Sequence, residues 1–263
     1  MRDNSEFYIN HQFLPTKTNL NFCDQSVLTE YNKKRIYLFQ HCLRIPTSIF
    51  LNSTYLEIGP DSGENALSAA SLGAFVWCVD ANQKAIESTQ ELFFQSSFNQ
   101  RLKNSQIVNF VDAEFEENFD FVVAEGLIHS VEKKEAFLDK VINIIKPNAF
   151  VILSYYDQVS VFGDLLHSRI FKTLVKNHLG ISNLYGSDIE SVIEFGEKIF
   201  QKKWFKKNHL RSLRTWILDI LLNPVMDASR TLNPIETIIK FGKKDLNYWS
   251  SYTSYRNERE IRR

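Results

Sequence analysis

Between positions 54 and 155 the chain alternates strand-sized apolar runs with longer stretches of helical periodicity. The runs at 54–59, 75–80, 106–111, 119–124 and 149–155 are short and rich in Val, Ile and Phe. The stretches at 64–72, 83–98 and 132–145 repeat apolar residues every three or four positions, as in Phe137, Leu138, Val141, Ile142 and Ile145. Strand and helix in strict alternation predict an α/β fold, a doubly wound and mostly parallel sheet covered on both faces. Near-continuous apolar strands fit such a sheet, because its strands are buried on both sides.

The flanks read differently. Positions 1–24 lack periodicity and contain Pro15. A helix is expected over 26–43, with Ser26 as N-cap, an apolar stripe of Val27, Tyr31, Ile36, Phe39 and Leu43, and a stop at Pro46. After position 157 four helical stretches follow, at 158–178, 188–208, 212–222 and 234–242. A strand-like segment at 246–252 and a charged tail at 256–263 end the chain. The expected organisation is a core at 1–157, a helical cap or insertion at 158–245, and a last segment at 246–263.

Composition changes this picture little. The 263 residues are 44% hydrophobic and 24% charged, ordinary globular values. Thirty-one basic residues balance 31 acidic ones, so the overall excess of positive charge usual for a nucleic-acid partner is missing. Three scattered cysteines suggest neither a disulfide framework nor a metal site. They fit a reducing, cytoplasmic setting. No apolar leader or run long enough to span a membrane appears.

The chemistry concentrates at strand ends. Glu57-Ile-Gly59-Pro-Asp61-Ser-Gly63 lies between the first strand and its helix. Gly59 would let the backbone turn sharply off the strand, and Gly63 would allow close packing at the helix start. The N–H groups of that first helical turn suit a carboxylate. A dinucleotide fingerprint needs glycine two positions after the first; Asp61 stands there and opposes a pyrophosphate. It does not oppose a ligand carrying an ammonium and a sulfonium, which favours S-adenosylmethionine (SAM) over a nicotinamide dinucleotide. Asp80, followed by Ala81, closes the second strand about 20 positions beyond the glycine loop, where an acid typically holds ribose hydroxyls. Asp112-Ala113 closes the third strand, where a carboxylate would accept from an adenine amino group.

Positions 54–157 resemble a class I SAM-dependent methyltransferase, with a Rossmann-like fold. The glycine loop, the acids at 80 and 112, the stretch Phe119-Asp-Phe-Val-Val-Ala-Glu-Gly126 and the turn Lys146-Pro147 occur in the family's order. The resemblance implies that Glu57, Gly59, Asp61, Gly63, Asp80, Ala81, Asp112, Ala113 and Glu125 bind SAM, with S-adenosylhomocysteine as product. His129, just past the fourth strand, is the candidate general base. Tyr155 and Tyr156 would border the acceptor, and Tyr8 and Tyr31 would close over the cofactor. Trp216-Ile-Leu-Asp219, Asn223-Pro224 and Tyr248-Trp-Ser-Ser251 resemble the distal region of methyltransferases from bacterial surface-polysaccharide gene clusters. That implies a carbohydrate-related or nucleotide-linked small acceptor, with Asp219, Asn223 and Ser250 as hydrogen-bonding groups of the cap. Two alternatives stay open. One is an RNA methyltransferase using the basic, aromatic segment 202–214. The other is a non-catalytic SAM-binding scaffold.

Overall fold

The computed structural model describes residues 20–22, 24–128, 131, 133–155, 161–182, 184, 188–200, 212–223 and 234–251. Helix α1 (Gln25–Tyr37) leads in and continues as a π-helical turn, Leu38–Cys42. Then come β1 (Thr54–Ile58), α2 (Glu64–Ser71), β2 (Phe75–Asp80), α3 (Gln83–Gln95), β3 (Leu102–Ile107), β4 (Phe119–Ala124), α4 (Lys134–Ile144) and β5 (Ile145–Leu153). The five strands form one parallel sheet in the order β3-β2-β1-β4-β5. The doubly wound α/β expectation is therefore met. The strand order reverses between β1 and β4, and that switch point is where open α/β sheets bind ligands.

Alternation along the strands sorts the core into two layers. Tyr55, Val76, Cys78, Phe121 and Val123 pack under α1, α2 and α3. Leu56, Ile58, Val79, Val122 and Ala124 pack on the other face with Phe137, Leu138 and Val141 of α4. Below the sheet, at the amino ends of β1 and β4, Asp120 accepts from the Thr54 amide (2.8 Å) and Lys146 (3.0 Å). This pins the end opposite the switch-point crevice.

The edges depart from the sequence reading. β3 runs over 102–107, not 106–111, and the apolar residues expected to form it turn instead into a 3-10 helix, Phe110–Asp112. An edge strand is solvated on one side, so Lys103, Asn104 and Ser105 are tolerated there. β5 begins at Ile145 rather than 149. It carries an irregularity in which Phe119 pairs with Ile145 but Phe121 with Phe150. Pro147 and Asn148 (φ +59°) lie in that bulge, where a missing N–H costs no ladder bond. The N-cap of α1 is Asp24, not Ser26; its carboxylate takes the Ser26 amide at 2.8 Å. The stripe of α1 is also rotated. Leu28, Arg35 and Phe39 are buried, whereas Val27 and Ile36 are only half-buried.

In the second half, α5 (Phe162–Leu179), α6 (Ile189–Ile199) and α7 (Leu213–Trp216), which continues as the π-helical turn Ile217–Leu222, share their own apolar cluster. Helix α8 (Pro234–Gly242) packs instead on the sheet side. Phe241 joins the core under α4, and Lys240 reaches Glu135 and Asp139. The expected strand at 246–252 does not form over 246–251. Trp249 stacks edge-on against Phe150 (5.6 Å), and its indole N–H and the Ser250 hydroxyl both donate to the Leu43 carbonyl. Ser250 therefore ties the chain end to the lead-in helix rather than serving the cap. No described helix is long and apolar enough to cross a membrane.

Candidate functional site at the sheet switch point

The loop after β1 turns as its glycines require. Gly59 has φ +71° and its N–H bonds the Val79 carbonyl of the neighbouring strand (2.9 Å). Gly63 has φ +90° and caps α2. A methyl group added at Gly63 would lie 3.0 Å from the Thr89 Cα on α3, so only glycine lets the two helices approach this closely. At Gly59 an added methyl would meet the Leu127 side chain at 3.2 Å, across the crevice from β4. Asp61 also takes a left-handed conformation (φ +52°), which Asp tolerates better than most residues.

The first turn of α2 differs from the expectation of an open anion seat. Glu64 opens the helix, buried, and Ser62 donates its hydroxyl to that carboxylate at 2.7 Å. The chain thus supplies its own acid at the positive end of the helix.

Asp80 ends β2 half-buried, one oxygen accepting the Asn82 amide at 2.8 Å. Burial pushes its pKa up to about 7, and the nearby Asp61 charge adds to the rise. The Val108 amide bonds the Asp80 carbonyl (2.9 Å), so the turn bearing Asp112 leaves β3 directly beside the β2 tip. Asp112 is exposed on that 3-10 turn. Ala113 is buried, and its carbonyl accepts from Lys140. Ala81 is half-buried beside Asp80.

Beneath the loop lies a polar network that the sequence reading missed. Tyr55 and Glu57 sit two apart on β1 and so share a face, and the Tyr55 hydroxyl donates to Glu57 at 2.6 Å. Above them Tyr31 and Arg35 share a face of α1, four apart. Arg35 grips Glu125 with two parallel bonds, 2.8 and 2.6 Å. Tyr31 donates to Asn65 (2.6 Å), whose amide reaches Glu125 at 3.5 Å. Arg35 is buried. Burial works against its charge, and Glu125 more than offsets this, so its pKa stays above the ordinary arginine value. Glu57 is buried beside the Glu125 charge, and these two causes push its pKa up to about 8. Tyr31 is thus fixed to Asn65, and Glu125 is committed to Arg35. The available clue to Arg35 was its spacing, midway between Tyr31 and Phe39 on the helix face that the sequence turns inward.

The remaining candidates are dispersed. Tyr155 is 40% exposed just beyond β5. Asp219 lies in the π-helical turn of the helical region, and Asn223 ends that turn fully buried, its carbonyl accepting from Lys172 at 3.2 Å. His129, Tyr156, Tyr8 and most of the basic segment 202–214 lie outside the described residues.

A parallel sheet with a glycine-turned loop and acidic strand tips at its switch point is the arrangement in which open α/β folds hold ligands. A family model described as a methyltransferase domain matches residues 31–217, and the chain belongs to that family. No curated protein sequence matches the chain. Among solved structures it is similar to PKMT2 from Rickettsia typhi in complex with AdoHcy, with TM-score 0.54 and 15% identity over 87% of this chain and 47% of that one. It is also similar to magnesium protoporphyrin IX methyltransferase from Synechocystis PCC 6803 with bound SAM, with TM-score 0.42 and 11% identity over 56% of this chain and 74% of that one. The chain thus spans about half the length of the Rickettsia protein, and the likeness to it is one of fold.

Proposed function

We propose that the chain is a SAM-dependent methyltransferase, transferring a methyl group to oxygen, or less readily nitrogen, of a small polar acceptor, carbohydrate-related or nucleotide-linked. The observation that carries this reading is the set of carboxyl groups at the switch point. Glu57, Asp61, Glu64 and Asp80 lie on or beside the loop after β1, and Glu125 follows β4, where it is paired with Arg35. Such a site disfavours phosphates and suits a ligand with an ammonium and a sulfonium.

The residues present fit that cofactor. Asp80, half-buried at the β2 tip, would take the ribose hydroxyls. Asp112 and Ala113 on the neighbouring turn would border the adenine. Glu57, Gly59, Asp61 and Gly63 would face the aminoacyl end, with the glycines keeping the backbone clear of it. Glu125, clamped by Arg35, would hold the β4 side of the crevice in place. When bound, SAM supplies a methyl group already activated by the sulfonium, so the task left to the chain is alignment of the acceptor. His129 would take the acceptor's proton where one must leave. Tyr155 and Tyr156 would flank the acceptor. Asp219, half-buried in the helical region, would contact the acceptor; the reading of Asn223 as an acceptor contact weakens, given its full burial.

The test is transfer of tritiated methyl from SAM into fractionated cell extract, run beside calorimetric binding of SAM. Label in saccharide or nucleotide-sugar fractions is the expected result. Absence of SAM binding would overturn the whole reading, and label in RNA alone would overturn the choice of acceptor.

A further inference from the structure

A second concave site lies in the helical region and shares no residue with the switch-point crevice. It is a cavity of about 850 Å³ between the outer face of α5 and the segment after it. That size falls within the range of small-molecule pockets. Leu165, Arg169, Lys172 and Lys176 follow one another along α5 at four-, three- and four-residue spacing, so they form a single stripe facing the cavity. Gly180 (φ +67°) ends the helix, and beyond it Ile181 and Leu184 give the cavity apolar surface opposite the cations.

Two features mark this stripe as more than a solvated surface. First, among the described residues the lining contains three cations and no carboxylate. Among the described residues no acid forms an ion pair with Arg169 or Lys176. Arg169 and Lys176 are exposed on the same side of the helix, so an anion placed between them would meet both charges. Second, the wall is held in place. The adjoining face of α5 (Phe171, Val175) is buried, the buried Ser168 at the edge of the cavity donates its hydroxyl to the Leu221 carbonyl at 2.8 Å, and Lys172 reaches the Asn223 carbonyl. The chain as a whole is neutral, so the positive charge here is local.

We infer that this groove binds a small phosphorylated molecule, its phosphate or diphosphate on Arg169 and Lys176 and its remaining body against Leu165, Ile181 and Leu184. Arg169 and Lys176 are seven residues apart, about 10 Å along the helix axis, a span suited to an extended diphosphate ester rather than to a single free ion. The site stands independently of the methyl-transfer reading.

Calorimetry on the full chain without divalent metal, using uridine diphosphate and inorganic pyrophosphate as probes, tests it. Uridine diphosphate is expected to bind more tightly than pyrophosphate, which leaves the apolar wall uncovered. The Arg169→Ala/Lys176→Ala variant is expected to lose at least about tenfold in affinity for uridine diphosphate, with SAM affinity within twofold of the parent. The inference is overturned if neither probe binds, or if the variant binds both as the parent does. Loss of SAM affinity in the variant would overturn the separateness of the site. Tighter binding of a short single-stranded RNA, falling steeply with salt, would replace the small molecule by a nucleic acid.

Discussion

Arg35→Met tests the network under the glycine loop most directly. The substitution keeps the length and apolar stem of the side chain but removes the charge held by two bonds of 2.8 and 2.6 Å to Glu125. Glu125 is then left with the Asn65 amide at 3.5 Å, in a space it shares with buried Glu57. Removing one partner of a buried ion pair typically costs about 3–5 kcal/mol, because the other charge stays desolvated and unpaired. The Glu125 side chain is 22% exposed against 8% for Arg35, so water recovers part of the loss and the expected cost is about 3 kcal/mol. For a chain of this size that lowers Tm by roughly 6–12 °C. Differential scanning calorimetry of Arg35→Met, Glu125→Met and the double variant measures it. The double variant should recover at least about 1.5 kcal/mol relative to the sum of the singles, since it leaves no buried charge unpaired. A Tm for Arg35→Met within 2 °C of the parent, or strict additivity of the two changes, would refute the reasoning.

Three further outcomes follow from the same loop. Gly63→Ala should destabilise by about 2 kcal/mol or more in urea titration, because φ +90° and contact with the α3 backbone act together; Gly59→Ala, meeting only the mobile Leu127 methyls, should cost about half as much, and the reverse order would contradict the packing argument. Glu57 keeps its proton in the folded chain up to about pH 8 but loses it near 4.5 when unfolded. Its contribution to stability is therefore complete below pH 4.5 and declines as pH rises towards 8. Glu57→Gln should flatten that decline in urea midpoints measured between pH 5 and 8, and an unchanged slope would mean that Glu57 is ionised in the fold. Asp80 titrates near 7, and ribose hydroxyls are best received by its ionised form, so SAM affinity should rise with pH through 7. At pH 6 the Asp80 contribution alone should hold affinity about tenfold below its value with Asp80 ionised; Asp80→Asn should bind weakly and lose the part of the rise centred near 7, and a flat profile for the parent would remove Asp80 from the ribose site.

The elements that the sequence revealed and those it hid divide along one physical line. β1, β2 and β4 lie inside the sheet, and α2 packs over it. There burial on both faces writes itself into continuous apolar runs, and their predicted limits agree with the fold to within a residue or so. β3 and β5 are edges. Their pairing is set by neighbours rather than by hydrophobicity, so the run at 106–111 pointed past the true strand and the Lys146-Pro147 turn hid a strand that had already begun. The glycine loop was legible because Gly59 and Gly63 are local requirements. The Arg35–Glu125 pair was not, because its partners are 90 residues apart, and the spacing that places Arg35 on the inward helix face says nothing of which acid it meets.

That hidden pair gives the acidic loop its electrostatic logic. Without Arg35, Glu57 and Glu125 would face each other with little water to screen them, which favours a proton on one of the two. With Arg35 in place, its charge is spent on Glu125, and burial beside that carboxylate holds the Glu57 pKa up at about 8. The chain thereby keeps a rigid, charge-paired anchor under the β4 side of the crevice. On the β1 and β2 sides it leaves Glu57 and Asp80 with pKa values near 8 and 7, carboxyl groups that a cationic ligand would drive to ionise. The binding of such a ligand should therefore release protons to the buffer near neutral pH, and calorimetry in buffers of different ionisation enthalpy would show it. An observed enthalpy independent of the buffer would mean that neither carboxyl changes state, and that the acidic crevice is not where the ligand sits.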